Sequence, residues 1–118
     1  MYNFNYIGAV KRIIAYKDYY KAFYEALSQD EKDKVDRVLV LMHSQSRMPT
    51  HYIKPLQDGI YELRISVRDK ELRILFIYDG NVLVVLVNCF VKKRRKTPKA
   101  EIEKAVKLKK MYYEEKKR

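Results

Sequence analysis

The sequence predicts an α+β domain with the chain order β-α-α-β-β-β-α. Three observations predict it. Residues 60–67 alternate apolar and polar side chains as a half-buried strand does, with Tyr61, Leu63, Ile65 and Val67 on one face and Glu62, Arg64 and Ser66 on the other. The pair Asp79-Gly80 separates two further apolar runs and is a strong hairpin signal. Val35, Val38, Leu39, Leu41 and Met42 recur at helical spacing ahead of them. At 118 residues the chain is long enough for one compact domain and too short for two of ordinary size.

The elements follow in order. Residues 1–9 show no clear period and read as a frayed or short docking segment. Val10 to Tyr16 reads as a strand, because Ile13, Ile14 and Tyr16 have high strand propensity. Asp18 is placed to cap a first helix running to about Leu27. Ser28 is a good cap for a second, with Asp30 and Glu31 in the first turn, where the helix dipole favours negative charge. The two helices are expected to form an antiparallel hairpin. Tyr16, Tyr19, Tyr20 and Tyr24 are most simply core and helix–helix contacts. His43 to Gly59, holding Pro49, Pro55 and Gly59, reads as a connector whose length hints at function. Strands are expected over Ile60 to Val67, Leu72 to Tyr78 and Val82 to Val91. The last is apolar on both faces, which points to a central position. Thr97-Pro98 reads as a capping hydroxyl followed by proline at the first helical position. The helix behind it sends Ile102, Ala105, Val106 and Leu108 to the core and lysines to most of its remaining surface.

Charge is the strongest compositional fact. The net charge is +11, and residues 88–118 hold 13 Lys/Arg against 4 Asp/Glu. Such an excess favours a polyanionic partner, since neutralising phosphates releases counterions. The single cysteine, Cys89, excludes an internal disulfide and a four-cysteine zinc site. No charged segment followed by an apolar one opens the sequence, and the run Val82 to Val91 is far short of a membrane span. A cytoplasmic protein without membrane partners is expected. There is no P-loop, dinucleotide fingerprint or nucleophile elbow. His43 and His51 lie eight apart across a helix end and a proline-bearing loop, which is not a helical metal pair. No acidic metal cluster is evident, so metal-dependent nuclease chemistry is disfavoured and no cofactor is expected.

Arginine, lysine and tyrosine remain. A turn at Arg68-Asp69, or a four-residue loop Val67 to Lys70, puts Arg64 opposite Arg73. Two arginines opposed on one sheet face repel each other, unless Glu62 or Glu71 screens them or an anion fills the gap. A phosphate would fit that gap in forked geometry. The bland alternative is that both ends simply reach water. The run Lys92-Lys93-Arg94-Arg95-Lys96 is placed to track a nucleic-acid backbone, as is Arg68 in the turn. Lys92 and Lys93 point to opposite faces if the strand continues, and the sequence does not decide which joins the arginines. Tyr112 and Tyr113 lie one turn beyond Leu108, one to pack on the sheet and the other to stack on a base.

The stretch KPLQDGIYELRI, followed by KELRILFIYDGNVLVVLVNCFVKKRRKTPKAEIEKA, resembles the HigB/Gp49-like toxins of the RelE superfamily over residues 54–105. The resemblance implies a RelE-like microdomain, a twisted and mainly antiparallel sheet packed against helices. It implies a toxin of a toxin–antitoxin system that cuts mRNA in the ribosome without a metal. In that chemistry the RNA 2′-hydroxyl attacks the adjacent phosphate. By position, Arg64 and Arg73 would clamp phosphate. Lys93, or its neighbour Lys92, would stabilise the transition state or protonate the leaving group. Where better-known members have a lysine this chain has Ser66, and where they have an early helical tyrosine it has Ile102. Tyr113 or Tyr112 would then substitute. A lysine acting as a base needs a lowered pKa, for which the crowding of Lys92–Lys96 offers a cause. The implied partners are the ribosome, mRNA and an antitoxin of helix-turn-helix type. The competing expectations are a non-catalytic RNA- or DNA-binding module and a phage-derived interaction protein on the same fold.

Overall fold

The computed structural model describes residues 11–44, 48–93 and 95–117. It shows a five-stranded mixed sheet with helices on both faces. In chain order the elements are β1 (Arg12–Ala15), α1 (Tyr19–Glu25), α2 (Gln29–Ser44), a 3-10 turn (Thr50–Tyr52), β2 (Ile53–Pro55), β3 (Tyr61–Val67), β4 (Lys70–Asp79), β5 (Leu83–Lys92) and α3 (Lys99–Lys116). The strand order is β1-β5-β4-β3-β2, with β1 parallel to β5 and every other pair antiparallel. The α+β class and the antiparallel meander expected from the sequence are therefore present. Val10, expected to start the first strand, lies outside the described residues.

Two helical layers explain why β4 and β5 read as apolar on both faces. Leu63, Ile65, Leu72, Ile74, Phe76, Val84 and Leu86 pack with Val35, Val38 and Met42 of α2. On the other side Leu75, Ile77, Val85 and Val87 pack with Ala105 and Leu108 of α3. Strands covered on both sides lose the alternation that a half-exposed strand keeps. The sequence expectation put β5 at the centre. The middle strand is β4, and β5 is interior because β1 closes its far side in parallel register, Arg12 opposite Leu83 and Ala15 opposite Leu86. The four tyrosines around α1 divide between the two layers, Tyr20 and Tyr24 against the α2 side and Tyr16 and Tyr19 against the α3 side.

The expected connector over 43–59 is a correction. It holds the last turn of α2, the 3-10 turn and β2, which pairs with β3 through Ile53–Leu63, Lys54–Glu62 and Pro55–Tyr61. A three-residue strand ending in proline is tolerated at an edge, where the missing N–H has no ladder to break. The hairpin that follows turns on Asp58 and Gly59, with φ of 53° and 74°. Positive φ at both central residues is the turn that matches strand twist. The Ile60 amide donates to the Gln57 carbonyl at 2.9 Å, closing it. Lys109 of α3 reaches over this turn and donates to the Asp58 carbonyl at 2.6 Å.

Helix boundaries follow local chemistry. Ser28 and Glu31 form a reciprocal cap: the Glu31 amide donates to the Ser28 hydroxyl at 3.3 Å, and the Ser28 amide donates to the Glu31 carboxylate at 2.9 Å. Asp18 precedes α1 without a side-chain cap bond. Thr97 does not cap α3 as expected. Pro98 occupies the cap position, and the Thr97 hydroxyl donates instead to Glu62 of β3. The other end of α3 is latched to the β4–β5 turn. Tyr112 and Lys116 both donate to Asp79 Oδ2 at 2.6 Å, and Tyr113 donates to the Tyr78 carbonyl at 3.1 Å.

Two outcomes follow from these contacts. Ser28→Ala should lower stability by about 1 kcal/mol, read from the urea midpoint at unchanged m-value. The bond from Lys116, then that from Tyr112, holds the Asp79 carboxyl below its ordinary range. The latch therefore contributes stability above about pH 4 and loses it as pH falls through the depressed value. Urea titrations of wild type and Asp79→Asn should show a gap at pH 7 that narrows on acidification below about pH 4.

Candidate functional site

The α3-side face of β3, β4 and β5 extends beyond the cover of α3, and there it carries charge in two cross-strand rows. Arg64, Arg73 and Phe90 stand opposite one another in one row, and Ser66, Glu71 and Lys92 in the next. The opposition of Arg64 and Arg73 is the register expected from the hairpin, which closes as a two-residue turn with φ of 56° at Arg68. One row further in, Lys54 of β2 stands opposite Glu62.

A β-bulge decides which lysine joins this face. Between Ile74 and Phe76 of β4 the partner residues in β5 step from Cys89 to Leu86, so β5 contains one extra residue. An unbulged ladder would set Val91 across from Glu71 and give Lys93 the parity of the arginine face. The bulge shifts that parity by one, and Lys92 stands across from Glu71. The Asn88 amide beside the bulge donates to the carbonyl and the carboxylate of Glu101, both at 3.0 Å, which fixes the start of α3 over it.

Glu62 and Arg73 are the buried pair of the site, at 1% and 2% exposure. Arg73 Nε lies 3.7 Å from Glu62, and Nη1 donates to Glu71 at 3.1 Å and to the Leu72 carbonyl at 3.0 Å. Among the described residues, Nε itself has no hydrogen-bond partner. Arg64 Nε lies 3.9 Å from the other Glu62 oxygen, and its side chain is 40% exposed. The Thr97 hydroxyl completes the surroundings of Glu62. The like-charge repulsion expected between the arginines is thus screened by both carboxylates that the sequence offered. The two arginines are therefore unequal: Arg64 is open to an incoming anion, whereas Arg73 is buried beneath it with Nη1 taken by Glu71.

Glu71 is more open, its side chain 43% exposed. It accepts from the Ser66 hydroxyl at 2.6 Å, and that bond, followed by Arg73, holds its carboxyl below the ordinary range. Lys92 is pushed below the ordinary lysine value by burial first, then by Arg73, with Arg64 and Lys54 adding to it and Glu62 opposing. The causes are burial and the arginine face, not the crowding of Lys92–Lys96 expected from the sequence.

The other expected site residues fall elsewhere. Lys93, Arg95 and Lys96 are exposed beyond the end of β5, and Arg94 lies outside the described residues. Arg68 is ion-paired to Asp30 at the start of α2. Tyr113 and Tyr112 are bound at the Tyr78-Asp79 end of β4, six residues and about 20 Å from Arg73, and are corrections to the expected site. Lys54 was missed because β2 was read as connector; Asp58-Gly59 is a hairpin signal, but no strand period precedes it. Cys89 is partly buried, and that burial pushes its thiol up to about 12, which makes it a poor nucleophile.

Lys54, Arg64 and Lys92, from three strands, therefore surround the open end of one sheet face over a buried Glu62–Arg73 pair. Such a face can bind a phosphodiester and offer it a proton. Among the described residues, no group of three His, Cys, Asp or Glu side chains is placed to hold a metal ion, and no helix is long and apolar enough to cross a membrane. A family profile described as phage-derived protein Gp49-like matches residues 22–110. No curated protein matches the chain.

Removing Arg73 strands a buried carboxylate, whereas removing Arg64 leaves only solvent-facing space. Arg73→Ala should cost about 3 kcal/mol or more and Arg64→Ala less than about 1 kcal/mol, measured by chemical denaturation.

Proposed function

The chain belongs to the phage-derived Gp49-like family, within the RelE/HigB-like toxin superfamily, and from that premise we propose that it is the toxin of a type II toxin–antitoxin pair that cuts mRNA on the ribosome. The observation that carries the catalytic part is the convergence of Lys54, Arg64 and Lys92 at the open end of one face, with the charge of Lys92 weakened by its neighbours.

The cleavage proceeds through the RNA's own 2′-oxygen. That oxygen bonds to phosphorus as the P–O5′ bond breaks, its proton leaves to water, and Lys92 gives a proton to the departing 5′-oxygen. The products are a 2′,3′-cyclic phosphate and a 5′-hydroxyl. Arg64 and Lys54 hold the phosphate and stabilise the charge that grows on it. Arg73 acts through its neighbours as a positioning residue: it stiffens Glu62 and Glu71 and lowers the hold of Lys92 on its proton. Lys93, Arg95 and Lys96 extend the positive surface along the strand. Arg94 belongs to the same basic run. An antitoxin of helix-turn-helix type, in the cytoplasm, would restrain the toxin.

The burial of Arg73 favours a second reading. With one of the two expected guanidiniums withdrawn, the face could hold RNA without cutting it. The two readings separate on Lys92. For an enzyme, Lys92→Ala and Arg64→Ala each lower cleavage about 100-fold or more while the protein stays folded. Primer extension on a translated reporter mRNA, with and without its start codon, reads this. Intact mRNA at confirmed protein levels would establish the binder.

The lowered lysine also sets a pH dependence. A group that donates a proton stops working as pH rises through its pKa, so the rate should fall on the alkaline side below the ordinary lysine value of 10.5. Lys92→Arg should move that limb out of range, because a guanidinium stays protonated.

A further inference from the structure

Glu71 is held by more donors than a surface carboxylate needs. Ser66 donates to one of its oxygens at 2.6 Å and Arg73 Nη1 to the other at 3.1 Å, while Lys92 stands directly across from it in β5. The charge of Arg73 does not require this arrangement, because Glu62 is already buried beside it. Arg73 is also fixed independently of Glu71, through the Leu72 carbonyl at 3.0 Å. If the Glu71 side chain turned away, Nη1 and the Ser66 hydroxyl would still converge on the same place. Glu71 is free to turn: it lies one residue into β4, next to the hairpin, and its side chain is 43% exposed. A carboxylate and a phosphodiester each present two oxygens and one negative charge to such donors.

We propose that the Glu71 carboxylate rests in a phosphate seat made by Ser66, Arg73 and Lys92, and that an RNA phosphodiester takes the seat by displacing it. The identity of the anion rests on the RNA-cleaving reading of the same face. Glu71 then sets the affinity of the face: every phosphate that binds must first separate a carboxylate from its own donors. The buried arginine gains a role in contact with the phosphate through Nη1, the nitrogen that holds Glu71, without having to leave the core. Lys54, Arg64, Arg73 and Lys92 outnumber Glu62 and Glu71, so an anion is attracted while the seat is still occupied.

The test is equilibrium binding of two probes, inorganic phosphate and a single-stranded 2′-O-methyl RNA that cannot be cut. They are titrated at fixed salt into wild type, Glu71→Gln, Glu71→Ala and the control Asp69→Ala, with melting temperatures recorded for each. Both probes should bind Glu71→Ala roughly tenfold more tightly than wild type, with Glu71→Gln between them. Adding Ser66→Ala should remove much of the gain. A similar gain for Asp69→Ala would reduce the effect to general surface charge and overturn the proposal. So would unchanged or weaker binding by Glu71→Ala. Ribosomal cleavage by the same proteins separates the two levels. Lost cleavage without tighter binding would make Glu71 a proton acceptor, overturning the seat and leaving the nuclease standing. Tighter binding with no cleavage by any of the proteins would keep the seat and remove the nuclease.

Discussion

The pairing of a buried carboxylate with a buried guanidinium, Glu62 with Arg73, is the constraint on which the rest of the charged face depends. Neither side chain could be taken from water alone, because an isolated ion in a sheet interior is too costly to keep. Together they form a nearly neutral base inside the protein, and the surface charges are arranged around it. Glu62 reaches one way to Arg64 and to the Thr97 hydroxyl, so it also ties the segment leading into α3 to the third strand. Arg73 reaches the other way to Glu71. A chain with leucine at both positions would pack well and be at least as stable. It would lose the guanidinium that holds one oxygen of Glu71 and that adds to the effect of burial in weakening the proton on Lys92.

The bulge in β5 is the second device, and it acts by counting. One additional residue reverses which side of the sheet every later side chain occupies. Upstream of it, β5 follows the parity of an ordinary interior strand and contributes apolar residues to both layers. Downstream, the strand leaves the cover of α3, and the reversal delivers a lysine rather than a valine to the polar rows. Bulges commonly lie beside sites where a side chain must be re-aimed.

Much of this was legible from the residues. The hairpin register follows from the turn and from the alternation over Tyr61–Val67, so the opposition of Arg64 and Arg73, and both carboxylates able to screen it, could be read directly. The capping pair Ser28 and Glu31 is likewise local chemistry. Three things were not legible, for separate reasons. The strand at Ile53–Pro55 is too short to show a period and carries a proline that argues against strand. The lysine on the charged face depends on a bulge, and Val82–Val91, apolar on both faces apart from Asn88, shows no alternation from which a change of parity could be read. The depth of Arg73 depends on Glu62 and Glu71 closing around its guanidinium, which is a property of packing across strands and not of any segment. Tyr112 and Tyr113 show the limit of spacing arguments: their helical positions were right, but the helix runs towards the opposite end of β4.

The bond from Thr97 to Glu62 spans 35 positions, and the parallel pairing of β1 with β5 joins residues still farther apart. Synthesis runs from the first strand to the last helix, so β1 must wait for β5 and Glu62 must wait for Thr97. Until residues beyond Thr97 emerge, Glu62 lacks its hydroxyl partner, Lys116 has not yet reached Asp79, and one side of the sheet has no helix. Long-range closures of this kind slow folding, since ordering costs must be met before the contacts form. The charged face is thus finished only after the segment through α3 has been made, and a nascent chain carries the side chains of the site before it carries their arrangement.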